Sequence, residues 1–406
     1  MWRVGDCGFS GFGTPGRTAE GYRLSFRGDI FRGMACNRNL SPRRAAVAFL
    51  LALSCIAGVA QSSPNSSPAI ERALSYRVDP AWPKPLPNHW IVGVVTGVAV
   101  DSQDDVWIVN RPSSVQPFQE RGFSRPAPPV LEFAPDGTLL SSWGGPKSGP
   151  GPAYDWPEEE HGIYIDPQDN VWLGGAGPKD AQILKFTRQG KFLFQIGHQG
   201  QSQGSNDTVN LGGPANVVLD EAANELYVAD GYINHRVIVF DATTGAYKRH
   251  WGAYGKRPDD ASATKVDPSG SPAQFSLVHC VRISNDGLVY VCDRTNDRIQ
   301  VFRKDGTMVQ EAFITKPTIG TGSVSDIGFS IDPEQRFAYV VDEVNSQIEV
   351  LDRKSLAVLG SIGGAGHWAG EFDVAHNMAV NSKGDLFITE AAGSRVQRFI
   401  QAGAGK

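Results

Sequence analysis

The chain has 406 residues, enough for one large domain or two average ones. Its 46 Gly, 26 Pro, 10% aromatic and 20% charged residues suit a turn-rich all-β protein rather than a helical one. The net charge of −5 is uneven, because residues 1–60 carry eight Arg against Asp6, Glu20 and Asp29, a net of +5 that leaves about −10 elsewhere. So acidic a body offers phosphates no basic face and excludes nucleic acid as a partner.

The basic end reads as an export leader. Arg43 and Arg44 precede the apolar run AAVAFLLALSCIAGVA, Ala45–Ala60, and the polar QSSPNSSP follows. This is the order of a cleavable signal peptide, with Gly58 and Ala60 at the cleavage point and Met34 as the start that gives it ordinary length. The run falls short of the ~20 residues of a membrane span, so an exported protein without stable membrane insertion is expected, an uncleaved anchor being the alternative. The expected order is a leader over 1–60, a linker over 61–72, one domain over 73–401 and a tail over 402–406. Cys7, Cys36 and Cys55 fall in the leader; the remaining two, Cys280 and Cys292, do not make a disulfide scaffold.

From Gly97 onward one pattern recurs six times. Its first half reads GVAVDSQDDVWIVN, GIYIDPQDNVWLGG, NVVLDEAANELYVAD, CVRISNDGLVYVCD, GFSIDPEQRFAYVVD and NMAVNSKGDLFITE. Its second half reads VLEFAPDGTLLSSWG, ILKFTRQGKFLFQIG, VIVFDATTGAYKRHWG, IQVFRKDGTMVQEAF and IEVLDRKSLAVLGSIG, and the sixth copy stops after VQRFI. Each unit carries the alternating apolar residues and turn formers of a four-stranded antiparallel meander. One such sheet cannot bury both faces alone, and six packed radially predict an all-β, six-bladed β-propeller. ALSYRV, Ala73–Val78, is the expected source of the missing last strand. In the fourth unit, a three-residue Asn285–Gly287 loop sets Cys280 opposite Cys292, so either a cross-strand disulfide or two buried thiols fits.

In such a ring the first strands line a central channel, and the residue before each first strand sits at one mouth. Alignment puts Thr96, His161, Ala215, His279, Ile327 and His376 there, with histidine in alternate blades. Three imidazoles about 120° apart, with an open fourth position, form the ligand set of a catalytic zinc site, so His161, His279 and His376 are expected to bind Zn2+. A single histidine there would more simply cap its strand. The loops after the second strands reach the same mouth with Arg111 (VNRPSS), Tyr232 (ADGYINHR) and Arg294 (CDRTNDR). Two guanidinium groups and a phenol beside a metal suggest an anionic substrate and a positioned proton transfer. The remaining histidines, His89, His198, His235, His250 and His367, fall outside the slot.

The repeats resemble NHL-type propeller repeats. EHGIYIDPQDNVWL, VADGYINHRVIVF, QFSLVHCVRISNDG, CDRTNDRIQVF and EFDVAHNMAV are similar to successive motifs of the peptidyl-α-hydroxyglycine α-amidating lyase family, from about Gly93 to Phe399. That resemblance implies zinc on His161, His279 and His376, the active-site tyrosine at Tyr232 and the two arginines at Arg111 and Arg294. It implies cleavage of the C–N bond of an N-acyl-α-hydroxyglycine to an amide and glyoxylate, on a small-molecule or peptide substrate with a carboxylate. The pattern departs at Val374, where the family has Met, and at Ile233, where it has a cysteine. It departs also at Asn377, where the family has the Asp that helps hold a structural calcium, which puts Ca2+ in question here. Two rival readings are a related hemiaminal or ureidoglycolate-type lyase and a non-catalytic NHL propeller binding a protein or glycan partner. Calcium-dependent lactonase propellers use carboxylate and amide ligands where this chain offers histidine.

Overall fold

A computed structural model of the chain describes residues 68–116, 123–147, 153–262, 272–316 and 318–402. The leader, its cleavage point and most of the expected linker lie outside these residues. The described residues form six four-stranded antiparallel sheets and one short two-stranded ribbon. Each first strand packs against the next, and the sixth, Ala375–Val380, packs against the first, Val94–Val100, which closes the ring. The fold is the six-bladed β-propeller the repeats predict.

The reason for closure lies between the blades. The second strands each carry a central aromatic, namely Trp107, Trp172, Tyr227, Tyr290, Tyr339 and Phe387, and all six are buried. These side chains enter six separate apolar clusters, each drawn from two neighbouring blades and none from one blade alone. A blade therefore has no core of its own, and truncating one such aromatic to Ala should cost about 3–5 kcal/mol.

The last blade closes as a clasp. Tyr76–Asp79 pairs antiparallel with Arg395–Gln401 and supplies the outermost strand, with Tyr76 facing Gln401 and Asp79 facing Arg398. The strand begins three residues later than Ala73. Pro68–Ala73 is instead a short helix whose Ala73 enters the core between blades five and six. In blade four Cys280 faces Cys292, Gly287 takes the left-handed conformation the turn demands, and the two sulfurs form a disulfide with Cα atoms 4.9 Å apart. A disulfide suits an oxidising compartment. Among the described residues no helix is long and apolar enough to cross a membrane.

The first strands share one irregularity. Each breaks register with its second strand near its start, at Val95/Gly97, Glu160/Ile163, Pro214/Asn216, Val278/Cys280, Val324/Asp326 and Ala375/Met378. A bulge re-aims the side chain it carries. The residues skipped include Thr96, His161, Ala215, His279 and His376, and in blade five the skipped residue is Ser325, not Ile327. The slip in the sequence alignment has a physical cause. The turn after the first strand of blade five is two residues longer, with Ser330 bonding back to Phe337, so IDPEQ imitates the IDPQD of blade two out of register.

Candidate metal centre

The six bulges lie at one level of the channel, and three of them hold imidazoles. The rings of His161, His279 and His376 stand with every pair of centroids 4.8 Å apart, and one ring nitrogen of each lies within 4.8 Å of the others. Their orientation is fixed from outside. Nδ1 of His161 bonds the Ala215 carbonyl at 2.8 Å, Nδ1 of His279 the Ser325 carbonyl at 2.6 Å, and Nδ1 of His376 the Thr96 carbonyl at 2.9 Å. A carbonyl only accepts, so each Nδ1 carries the proton and each Nε2 presents a lone pair to the axis. The three acceptors are the bulge residues of the intervening blades, so six blades build one alternating ring. Gly162 shows how tightly it is made, since a Cβ there would meet the Ala215 carbonyl oxygen at 2.4 Å.

Burial keeps these imidazoles neutral. It is the first cause of a downward shift in all three, well below the ordinary histidine value for His161 and His279 and to about 3 for His376, with neighbouring cationic groups adding to it. A neutral imidazole with a fixed tautomer is the form a metal takes.

Tyr232 closes the site from blade three. Its hydroxyl lies 2.8 Å from Nε2 of His161 and 3.1 Å from Nε2 of His279. The loop that carries it is clamped by Asp230, which accepts from the Gly212 amide, from Asn234 and from the fully buried Arg236. Gly213, at φ +69°, leaves room for the Tyr232 Cβ, which a side chain there would meet at 2.5 Å. The metal fit can be judged from these groups: one phenolic hydroxyl serves the Nε2 atoms of His161 and His279 and leaves that of His376, a set of three acceptors that a cation satisfies and one hydroxyl does not.

The two arginines are held differently. Arg294 is buried, donates from Nε to the Thr321 carbonyl at 3.1 Å, and places Nη1 3.0 Å from Glu343 and 3.4 Å from the Tyr232 oxygen. Arg111 donates from Nε to the Glu160 carbonyl at 2.9 Å, beside His161, and its Nη1 pairs with the half-exposed Glu159 at 2.9 Å. The phenol of Tyr232 is shifted upward: burial dominates, with Arg294 and Arg111 opposing it and Glu343 reinforcing it. The two arginines alone therefore do not bring it below the ordinary tyrosine value.

Glu343 is the residue the sequence reading missed. Its carboxyl is buried, shifted upward by that burial, and bound to Arg294 and to the Thr321 hydroxyl at 3.1 Å. The signal was present, because Glu343 follows the second strand of blade five in VVDEV, the slot that Arg111 and Arg294 hold in their own blades. His89, His198, His235, His250 and His367 all lie away from the three-histidine cluster.

One step further along the first strands lies a second polar layer. Arg282 bonds Asp326 at 2.7 Å and Asn216 at 2.6 Å, and Asp326 also accepts from Asn377 at 3.1 Å and from the Met378 amide. The carboxylate beside Asn377 thus has a guanidinium partner inside the protein, and this layer does not fit calcium.

Comparison with known proteins adds relatives to this geometry. Residues 181–362 match the family model "Lactonase, 7-bladed beta-propeller", whereas the chain has six blades. NHL repeat-containing protein 3 of Mus musculus is 25% identical over 57% of this chain and 57% of its own. A probable peptidyl-α-hydroxyglycine α-amidating lyase of Caenorhabditis elegans is 24% identical over 58% of this chain and 62% of its own. Peptidyl-α-hydroxyglycine α-amidating lyase 1 of Drosophila melanogaster is 25% identical over 85% of this chain and 64% of its own. In each case the chain spans less than two thirds of the relative's length. These likenesses support a β-propeller family of NHL type.

Proposed function

We propose that the protein is an exported, zinc-dependent lyase that splits an N-acyl-α-hydroxyglycine into a primary amide and glyoxylate. The observation that carries this reading is the convergence of three proton-free Nε2 atoms and the Tyr232 hydroxyl on one point of the axis. Distant relatives bearing the name of this lyase agree with it. The carboxylate and amide ligands that calcium takes are not what the axis offers at this level.

A divalent metal held by His161, His279 and His376 supplies Lewis-acid polarisation of a substrate oxygen. The residues around it divide the remaining work. Arg111 suits the substrate carboxylate, because its partner Glu159 is half-exposed and a surface pair of that kind is weak and easily exchanged. Arg294 has no such freedom; Thr321 and Glu343 fix it against the Tyr232 oxygen, where it stabilises negative charge on the phenol. Tyr232 moves the proton. In its ionised form, which a cation on the three histidines together with Arg294 would favour, the phenol takes the proton of the carbinol hydroxyl, the C–O bond becomes the carbonyl of glyoxylate, and the C–N bond breaks with its electron pair going to nitrogen. The same phenol returns the proton to that nitrogen, giving the primary amide, so the step balances without a co-reactant.

The test is product identity. The protein incubated with N-acetyl-α-hydroxyglycine should release glyoxylate and acetamide in equal amounts. Glyoxylate released only from ureidoglycolate would transfer the site to that substrate, and release from neither would remove the lyase reading.

A further inference from the structure

Beside the site lies a cleft that the reaction so far does not use. It has a volume of about 500 Å³ and opens between blades one and two, walled by Trp90, Pro112, Pro126, Pro129, Trp156 and Pro157. Trp90 projects from the two-stranded ribbon Trp90–Ile91 and Arg125–Pro126, an addition to blade one outside the six repeats. Two indoles and four proline rings make a rigid apolar wall of the size that receives a small ligand.

The cleft and the site are joined through neighbouring residues. Pro112 follows Arg111 directly. Glu160, which also lines the cleft, precedes His161, gives its carbonyl to Arg111 Nε at 2.9 Å and accepts at its carboxylate from Trp156 Nε1 at 2.8 Å. One residue thus ties the wall of the cleft to the guanidinium proposed to hold the substrate carboxylate. Charge narrows the occupant further. Glu158 lines the cleft with its carboxylate 3.1 Å from Lys179, and Glu159 follows it, paired with Arg111. The described residues that line the cleft include no Lys or Arg to receive a second negative charge on the ligand, whereas an uncharged apolar group meets matching walls.

We propose that this cleft is the acyl subsite, and that it selects N-acyl-α-hydroxyglycines with a bulky, uncharged, apolar or aromatic acyl group. The inference rests on the lyase reading, which supplies the carboxylate end at Arg111. The acyl group leaves Arg111 along Pro112 and packs between Trp90 and Trp156, while a short acyl group leaves the cleft unfilled.

The experiment compares N-benzoyl-, N-acetyl- and N-succinyl-α-hydroxyglycine as substrates, and measures binding of N-benzoylglycine and N-acetylglycine by calorimetry. The benzoyl compound should exceed the acetyl one about tenfold in kcat/KM, through KM, the usual worth of filling an apolar pocket, and the succinyl compound should be poorest. Trp90→Ala should reduce this preference about tenfold. Ser113→Trp, which fills the cleft from an exposed position, should do the same without touching the ribbon. Equal kcat/KM for all three acyl groups, or variants that lower benzoyl and acetyl turnover alike, would overturn the subsite. The two readings fail separately. A calorimetric preference for N-benzoylglycine without glyoxylate release would remove the lyase and leave the cleft, and glyoxylate release without acyl preference would do the reverse.

Discussion

The Tyr232 hydroxyl lies 2.8 Å from Nε2 of His161, a ring whose other nitrogen is already committed to the Ala215 carbonyl. The phenol is therefore the donor, and it occupies ground on which a metal and a substrate oxygen must meet. Tyr232→Phe removes that donor and leaves every imidazole anchored. It should keep its fold and its metal while losing activity by about 10²–10⁴-fold, the worth of a positioned proton transfer. Turnover near the wild-type rate would hand the proton to another group, and loss of metal in this variant would make Tyr232 structural.

The ring of carbonyls behind the histidines is testable at a residue that touches no substrate. Gly162→Ala places a methyl 2.4 Å from the Ala215 oxygen and must displace either that carbonyl or the His161 ring. Zinc affinity should fall about 10–100-fold, the usual penalty for disturbing a ligand's outer partner. Competition with a chromogenic chelator measures it, and unchanged affinity would mean that the carbonyl does not orient the ring.

The arginines should separate kinetically. Arg111→Ala is expected to act mainly through KM for the substrate carboxylate. Glu343→Gln, which loosens Arg294 without removing it, is expected to act mainly through kcat and to move the alkaline limb of the pH–rate profile. Identical effects of the two variants on kcat and KM would erase the division of labour.

The pattern of what could be read in advance follows from where the repeat is strong. Six blades were legible because turns and central aromatics such as Trp107 and Trp172 recur at fixed spacing. The histidine ring was legible because one repeat slot carried the same residue type in alternate blades. Blade five misled at that slot because its turn is longer, which moved Ser325 two places from where IDPEQ put it. Glu343 is not legible in the same way, because a buried carboxylate in a loop slot is recognisable only from its partner Arg294. The Trp90 ribbon and its cleft come from proline-rich segments with no periodicity.

Acid should weaken the metal-free protein through its histidines. Their folded values lie below the ordinary ~6.5, so between that value and about 3, the figure for His376, the unfolded chain binds protons that the folded chain refuses. Stability is then complete above pH ~6.5 and is lost as pH falls, by up to about 1.4 kcal/mol per pH unit for each histidine. The urea midpoint of chelated protein should drop from pH 7 to pH 5, and His376→Gln should show a shallower drop. A midpoint independent of pH over that range would contradict the burial argument.

The central claim, a single metal on three histidines driving C–N cleavage, is tested most directly by titrating the chelator-stripped protein with zinc while following glyoxylate release from N-benzoyl-α-hydroxyglycine. Release should be negligible without zinc, rise linearly, and break at one zinc per chain, with His279→Ala showing no break in the same range. Glyoxylate release from the stripped protein at the full rate, or none at any zinc level, would contradict the account.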